Sequence, residues 1–354
     1  MVRITVSETA ARMKSFRSAI CLIGAVAALI AAAGTAHADW REDLSVLRIG
    51  ILAHGDPRKA VTRAEPFRLA VADRLGIAVE IFPARDFAAL VDATASAHIE
   101  YAVMSATAYA LASNRCQCVE PLAVARSGDG TSAFHEVVIT RQDGAASLPE
   151  LKGKHITATE ANAFGGLDIA LRQMRREGFD AADGDAQFKP VKRSDLAIAA
   201  LRDREAEGLV GWSSMNGEPG EGYSRGTLRQ IGRLGGDIAK YRIIWQSVAI
   251  PHRVHAVRKS LPAEARQALG DLLSTLFDDD PVAYDAIEPV YGGGLVPASQ
   301  DQFAPLAALL KTADAATTPE ADGNSGEDTS GEPVIEQPVT GGPAPNGESD
   351  EGSG

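Results

Sequence analysis

The chain has 354 residues, with 35 Lys and Arg against 47 Asp and Glu, so its formal net charge is −12. It contains no basic stripe or Lys/Arg run, which argues against binding to nucleic acid or to an anionic membrane surface. Both terminal segments differ in composition from the rest. They leave about 270 residues between them, enough for two modest lobes or one large domain.

The first 38 residues have the pattern of a cleaved signal peptide. Lys14 and Arg17 form a basic segment, residues 19–33 are apolar, and the sequence AHA at 36–38 fits a signal-peptidase site. The apolar run is short and Ala-rich for a membrane span, so an uncleaved anchor is only the alternative interpretation. We therefore predict export to the periplasm and a mature chain that begins at Asp39.

The opposite end of the chain is a second separable segment. Residues 312–354 contain ten Asp and Glu, no Lys or Arg, and mostly Gly, Pro, Ser and Thr otherwise. Such a composition cannot bury enough apolar surface to offset the entropy of ordering. We predict a disordered acidic tail that accounts for most of the net charge, and the acidic pI therefore describes the tail rather than a binding surface.

Between these segments, apolar runs typical of strands alternate with helical patterns. The predicted strands are 46–54, 79–84, 100–105, 120–126, 135–141, 155–160, 188–192, 208–214 and 243–251. The predicted helices are 65–75, 87–96, 106–112, 166–176 and 195–202. Strands separated by helices of this length imply crossover connections and largely parallel sheets.

Two of the predicted strands, 135–141 and 243–251, are suited to cross between two lobes. We therefore predict an α/β fold in which two α/β lobes are joined by two extended crossings, with a ligand cleft between them. The predicted domains are lobe 1 at 39–137, lobe 2 at 138–244, and a return to lobe 1 at 245–311.

Cys116 and Cys118 are the only cysteines of the predicted mature chain. In an oxidising compartment they either form a small disulfide loop or remain free thiols. A redox centre is the third interpretation, because a strained disulfide is more easily reduced.

Four segments together resemble the phosphate/phosphonate-type periplasmic solute-binding proteins of ABC importers. They are SLPELKGKHITATEANAFGGLDIAL (147–171), EYAVMSATAYALA (100–112), KSLPAEARQALGDLL (259–273) and YGGGLVPASQDQFAPLAAL (291–309). The resemblance implies the type 2 periplasmic-binding fold, a small-molecule ligand, and an inner-membrane ABC permease as partner. It also implies hinge closure without covalent chemistry.

The chain departs from this family at the residues that bind phosphonates. The Ser-Thr-Ser anion cradle of the family falls on Ala163, Phe164 and Gly165, and acids that hold a ligand ammonium fall near Ser194 and Trp212. A helix N-terminus still offers backbone N–H donors here, and its dipole still favours an anion. We therefore expect an organic or phosphorus-type anion, but not a simple alkylphosphonate.

Candidate ligand-binding residues lie on the loops and strand ends that the resemblance turns toward the cleft. They are His54, Thr107, Tyr109, Thr159, Asn162, Phe164, Gly165, Trp212 and Ser213. Aromatic members combine flat apolar contact with a polar group, which suits a ligand wall. Phe164, Tyr109 and Trp212 are equally compatible with core packing.

No metal site, cofactor or enzyme activity is predicted. His252 and His255 would face opposite sides of an extended segment, and neither a nucleophile elbow nor a nucleotide-binding glycine loop is present. We expect a monomeric solute-binding protein. The alternative is an adaptor or sensory module with a degenerate cleft that signals to a membrane partner such as a sensor kinase; an exported enzyme on the same fold is a third interpretation.

Overall fold

The structure, a computed structural model, describes residues 39–53, 55–159, 166–181 and 184–311. The predicted signal peptide and acidic tail lie outside the described residues. In the compact unit that ends at Ser45, the described residues form the short helix α1 (Trp40–Asp43), with the Asp39 side chain as its N-cap. The second unit begins at Val46 and contains both sheets.

The second unit opens with alternating strands and helices, as the sequence predicts. In chain order they are β1 (Val46–Leu52), α2 (Pro57–Leu75), β2 (Ala78–Ala84), α3 (Phe87–Ala95), β3 (Tyr101–Met104), α4 (Ala106–Cys116), β4 (Val119–Ala125) and β5 (Ala133–Arg141). Helix α2 begins eight residues before the predicted helix at 65–75, because Pro57 opens its first turn and the Asp56 carboxylate accepts a hydrogen bond from the Arg58 N–H.

The remaining elements follow the same alternation before the chain returns to the first sheet. They are β6 (His155–Thr159), α5 (Gly166–Arg176), β7 (Gln187–Val191), α6 (Ser194–Arg202), β8 (Gly208–Ser213), α7 (Thr227–Arg233), β9 (Tyr241–Gln246), β10 (Ile250–Pro251), β11 (Val254–Arg258), α8 (Ala263–Asp279), α9 (Pro281–Ile287), β12 (Leu295–Pro297) and α10 (Gln300–Leu310). The single strand predicted at 243–251 is divided into β9 and β10. Between them, the Ser247 hydroxyl rather than a backbone carbonyl accepts the Glu136 N–H.

The described strands form two six-stranded sheets, in the order β12-β4-β11-β3-β1-β2 and in the order β10-β5-β8-β6-β7, with β9 paired to β5. The prediction of largely parallel sheets is wrong. Among the described strands, parallel pairs occur only where β1 meets β2 and β3, and where β6 meets β7 and β8. In the first sheet, the return strand β11 inserts between β3 and β4 and runs antiparallel to both; in the second, the crossing strand β5 runs antiparallel to β8, so each sheet is mixed.

The two sheets and their helices make the two-lobed α/β fold that the sequence predicts. The first sheet is built from two separate stretches of the chain, β1 to β4 and then β11 and β12. The strands of the second sheet lie between these two stretches in the sequence. The predicted lobe boundaries, at 137/138 and 244/245, fall inside β5 and β9. These boundaries therefore stay predictions, while the assignment of strands to sheets is observed.

Helix α5 packs against both lobes. Ile169, on its buried face, belongs to the apolar core of the first sheet together with Ile250 and Phe303. At its C-terminal end, the Arg176 guanidinium donates to the carbonyls of Ala308 and Leu309 at the end of α10, at 3.1 Å and 2.8 Å. Helix α5 is therefore held in place from the first lobe as well as from its own sheet.

Cys116 and Cys118 are joined by a disulfide bond at the end of α4, which decides between the paired and free-thiol interpretations. The Arg258 guanidinium lies 3.1 Å from the Cys118 sulfur. Within the described ranges, no helix combines the length and the hydropathy that a membrane crossing requires.

Candidate functional site

One edge of the second sheet gathers the chain segments that the sequence analysis singles out. The parallel strands β6 and β8 end there, at Thr159 and Ser213, and α5 begins there at Gly166. The antiparallel strand β5 starts at the same edge, with His135 opposite Ser213. Carboxyl ends of parallel strands, with a helix N-terminus beside them, form the common ligand-binding edge of α/β sheets.

Glu136 is the unusual group at this edge. Its side chain is only 8% exposed, and none of the described residues forms a hydrogen bond or ion pair with its carboxyl. A Cβ added to Gly166 would lie 1.6 Å from its Oε1 atom, so the carboxyl lies directly against the first residue of α5. Burial raises the pKa of Glu136 to about 8, so the protonated acid predominates at neutral pH.

A column of aromatic rings connects this edge to the first lobe. Trp212 meets Phe134 edge-on at 6.0 Å, Phe134 stacks over His252 at 6.1 Å, and His252 stacks on Tyr291 at 4.7 Å. Phe134 lies at the start of the crossing strand β5, where it pairs with Ile250 of β10. The rings therefore follow the crossing from the second sheet toward the first, and Trp212 ends the column on the Glu136 face.

Arg225 is a positively charged residue at this edge of the second sheet. Its backbone carbonyl accepts the Ser214 N–H, 3.1 Å away, directly after β8 ends. Its half-buried guanidinium has no hydrogen bond or ion pair with any described residue. Burial lowers the pKa of Arg225, and the charge of Asp129 opposes that shift. A partly desolvated guanidinium with unused donors is suited to bind an anion.

Asp129 links the loop before β5 to the loop after β8. Its carboxylate accepts hydrogen bonds from the Ser224 hydroxyl at 2.5 Å and from the Thr131 hydroxyl at 2.6 Å, and its carbonyl accepts from the Asn216 amide. Burial raises the pKa of Asp129, but these hydrogen bonds and the charge of Arg225 outweigh it and lower the pKa overall. Asp129 therefore remains ionised near Arg225.

Four predicted site residues, His54, Asn162, Phe164 and Gly165, lie outside the described residues. Of the anion cradle that the sequence predicts around the start of α5, the structure therefore describes only Gly166.

The structure describes the five other predicted site residues. Three of them lie at the ends of strands, and Thr107 and Tyr109 lie on helix α4. Thr159 and Trp212 are half-buried at the ends of β6 and β8. Thr107, in the first turn of α4, is buried, and its hydroxyl has no described partner. Ser213 is buried, and its hydroxyl accepts a hydrogen bond from the Met215 N–H at 3.1 Å, so it already contributes to the structure of the loop after β8.

Tyr109 does not face the cleft, and the structure corrects that expectation. It is 0% exposed in the apolar core of the first lobe, where its ring packs on Phe303 at 4.6 Å. Its hydroxyl donates to the Gln300 side chain. The helical period of α4 turns position 109 inward, two residues after Thr107, so this tyrosine offers no surface to a ligand.

The two histidines considered as metal ligands have separate surroundings. His255 is fully buried between the Tyr101 hydroxyl and the Glu288 carboxylate, which lies 3.0 Å from its Nε2. His252 belongs to the aromatic column, with its Nδ1 facing the Ala125 carbonyl at 3.2 Å. Among the described residues, no group of three His, Cys, Asp or Glu is arranged to hold a metal ion.

Glu136 and Arg225 were missed by the sequence analysis. The sequence did contain a signal for Glu136, because it is a single acid within the apolar strand HEVVITR. The alternation of side chains along a strand would have placed this acid on a covered face of the sheet. Arg225 carries no comparable signal, because its loop sequence GYSRGT resembles any polar turn.

Residues 49–303 match the family described as ABC transporter, phosphonate, periplasmic substrate-binding protein. The chain belongs to this family. Phosphonate-type periplasmic substrate-binding proteins bind a small molecule and work with an ABC permease, and they are not enzymes. The match covers both sheets, from β1 to the beginning of α10.

Several solved structures are similar to this chain. A Xanthomonas citri protein bound to ATP aligns with a TM-score of 0.55 and 19% identity over 77% of this chain and 100% of that chain. The same protein bound to chloride aligns with a TM-score of 0.52 and 20% identity over 75% and 96%. PhnD1 of Prochlorococcus marinus, in complex with methylphosphonate, aligns with a TM-score of 0.48 and 12% identity over 76% and 98%. The search of curated proteins returned no match.

At such identities the structural likeness shows the fold alone. The ligands of these neighbours are diverse, and the residues of this chain must indicate its own.

Proposed function

We propose that the protein captures a small organic anion between its two lobes in the periplasm and delivers it to an ABC permease. The proposal depends on Arg225, whose half-buried guanidinium forms no hydrogen bond or ion pair with any described residue and lies at the sheet edge where α5 begins. Both the guanidinium and the helix N-terminus favour negative charge. The monomer acts by hinge closure around the solute.

The walls beside this edge favour an organic solute over a bare inorganic anion. Trp212 and Phe134 present aromatic rings on the face that carries Glu136, and flat apolar contact suits a ring or a chain. Among the residues predicted from the sequence, we retain Thr107, Thr159, Trp212 and Ser213 as ligand contacts. His54, Asn162, Phe164 and Gly165 are retained on sequence grounds.

A simple alkylphosphonate is not the expected ligand. The hydroxyl cradle of the family is replaced by Ala163, Phe164 and Gly165, so hydroxyl donors for three phosphonate oxygens are missing from the sequence. Glu136, once ionised, would also repel a dianionic headgroup at the start of α5.

The test is a thermal-shift screen followed by calorimetry, since a ligand that binds only the folded state raises its stability. Benzenesulfonate and benzoate are the aromatic probes, and phosphate, phosphite and methylphosphonate are the family controls. We expect saturable binding of at least one aromatic anion and none of the controls. Micromolar binding of a control would overturn the altered specificity, and the absence of any binding would overturn the proposed function in favour of an adaptor.

A further inference from the structure

Glu136 is the exception among the buried ionisable groups of the described chain. Arg141, His252, His255 and Glu288 are also buried, and each side chain has at least one hydrogen-bond partner, although Arg141 Nε and Glu288 Oε2 have none; only the Glu136 side chain has no hydrogen bond to any described residue. Buried polar groups in folded proteins are almost always paired, because an unpaired one loses its hydration without compensation. An unpaired carboxyl at a ligand-binding edge therefore indicates a partner that arrives from outside the chain.

No described cation pairs with this carboxyl, and the Arg225 guanidinium at the same edge forms no hydrogen bond or ion pair with it. On α5, Asp168 and Arg172 bind each other at 2.6 Å. On the strand that carries Glu136, the ring of His135 faces the Ser247 carbonyl, and Ser247 donates its own hydroxyl to the Val248 carbonyl. Trp212, opposite on β8, is neutral. Glu136 is therefore stable in this position as the protonated acid, which has one O–H to donate.

We infer that Glu136 is a hydrogen-bond donor to the bound solute and selects headgroups that only accept hydrogen bonds, namely carboxylates and sulfonates. Its carboxyl lies against Gly166, so an oxyanion placed on the first backbone N–H groups of α5 meets the acid on the same side. The inference rests on the proposed anion-binding function and adds the headgroup class to it.

The geometry disfavours two other partners. A ligand ammonium would bind an ionised Glu136, but it would then lie at the positive end of the helix dipole. A hydrogen phosphonate brings its own P–O–H donor, for which the N–H groups at the start of α5 offer no acceptor, and its dianion is repelled once Glu136 ionises. An acid kept neutral by burial so that it can donate a hydrogen bond is an established arrangement in other proteins.

The experiment uses four ring-matched probes, benzenesulfonate, benzoate, phenylphosphonate and benzylamine, titrated calorimetrically into the full-length mature protein at about pH 6.5 and about pH 9.5. For wild type we expect a sulfonate or carboxylate to bind best, with affinity falling roughly 30-fold toward the higher pH as the donor is lost. Glu136→Leu, which removes the donor, should weaken binding roughly 10- to 100-fold at the lower pH.

Glu136→Gln keeps an N–H donor of similar shape at any pH, so it should abolish the pH response that wild type shows. The matched control is Glu205→Gln, an exposed glutamate of the second lobe whose side chain forms no bond with any described residue, and it should retain the wild-type response. Melting temperatures of both Glu136 variants check folding; removal of an unpaired buried carboxyl should not lower them.

The outcomes separate the two proposals. Binding of a sulfonate or carboxylate that neither pH nor the Glu136 substitutions alter would overturn the donor role and leave the anion-binding function intact. Preference for benzylamine or phenylphosphonate would overturn the headgroup class. If wild type binds none of the four probes, the binding function itself fails, and the donor role with it.

Discussion

Glu136 and Trp212 lie directly opposite each other on the antiparallel strands β5 and β8, so the acid and the indole share the face of the second sheet on which α5 begins. Directly opposed residues are the closest side-chain neighbours in a sheet. In the proposed site, this pair would combine a neutral hydrogen-bond donor with a flat apolar wall.

Replacing Arg225 tests the cation of the site. Arg225→Gln should weaken benzenesulfonate or benzoate binding by roughly 10- to 100-fold, because a charge-assisted hydrogen bond in a partly desolvated place is lost. Calorimetry at low and high salt measures the change, and the variant should lose part of the salt dependence of wild type. Arg193→Gln, an exposed arginine paired with Asp195, is the control and should bind normally. Equal affinities for the two variants would remove Arg225 from the site.

The stability of the protein should fall with rising pH on account of Glu136. Its pKa is about 8 in the folded state against an ordinary value of 4.5, so the folded protein holds this proton more tightly than the unfolded chain does. The resulting stabilisation is complete below about pH 4.5 and is lost as the pH rises through 8. Relative to Glu136→Gln, wild type should lose about 4 kcal/mol of unfolding free energy from about pH 5 to about pH 9. Urea unfolding of both proteins measures it, and parallel pH profiles would contradict the assignment.

Asp129 should contribute stability of the opposite pH dependence. Its lowered pKa means that the contribution is present above the unfolded-state value of 3.8 and is lost as the pH falls through the folded-state pKa. Asp129→Asn should therefore lower the unfolding free energy by about 1 kcal/mol at neutral pH and by much less near pH 3. Asp73→Asn, an exposed aspartate of α2, is the control. A constant difference at all pH values would show that the effect is steric.

The acidic tail should be dispensable for folding and binding. Its composition after Lys311 motivates this prediction, since the segment offers little apolar surface to bury. A chain truncated after Lys311 should melt within about 3 °C of the full chain and bind the probes with the same affinity. A drop of about 10 °C would reveal a docked element in the tail.

Export should leave a mature chain that starts at Asp39. The basic segment, the apolar run and the AHA sequence at 36–38 together predict cleavage at that position. Mass spectrometry of the protein isolated from the periplasm of its host measures the N-terminus directly. Recovery of residues 13–38 in the mature protein would favour the membrane-anchor alternative.

The order of strands and helices was predictable from the sequence alone, because hydrophobic periodicity is a local property. Every predicted strand of the core has a counterpart in the structure, and the helix over 166–176 was predicted at its observed bounds. Family membership could also be predicted, since the segments that carry it keep their order along the chain. The start of α2 was missed although Asp56 and Pro57 form a recognisable helix start.

What only the tertiary structure decided is which side chains share a surface. Sheet order placed β11 between β3 and β4 in the first sheet and β5 beside β8 in the second, which made both sheets mixed, and no local pattern contains that information. The face of α4 decided that Tyr109 is core, and the pairing of β5 with β8 brought Glu136 to Trp212. Hydrophobic periodicity predicts that a side chain is buried, but the element that buries it comes from a distant part of the chain. For Glu136 that element is the first residue of α5, thirty positions away, and its contact turns a lone acid in a strand into a candidate ligand donor.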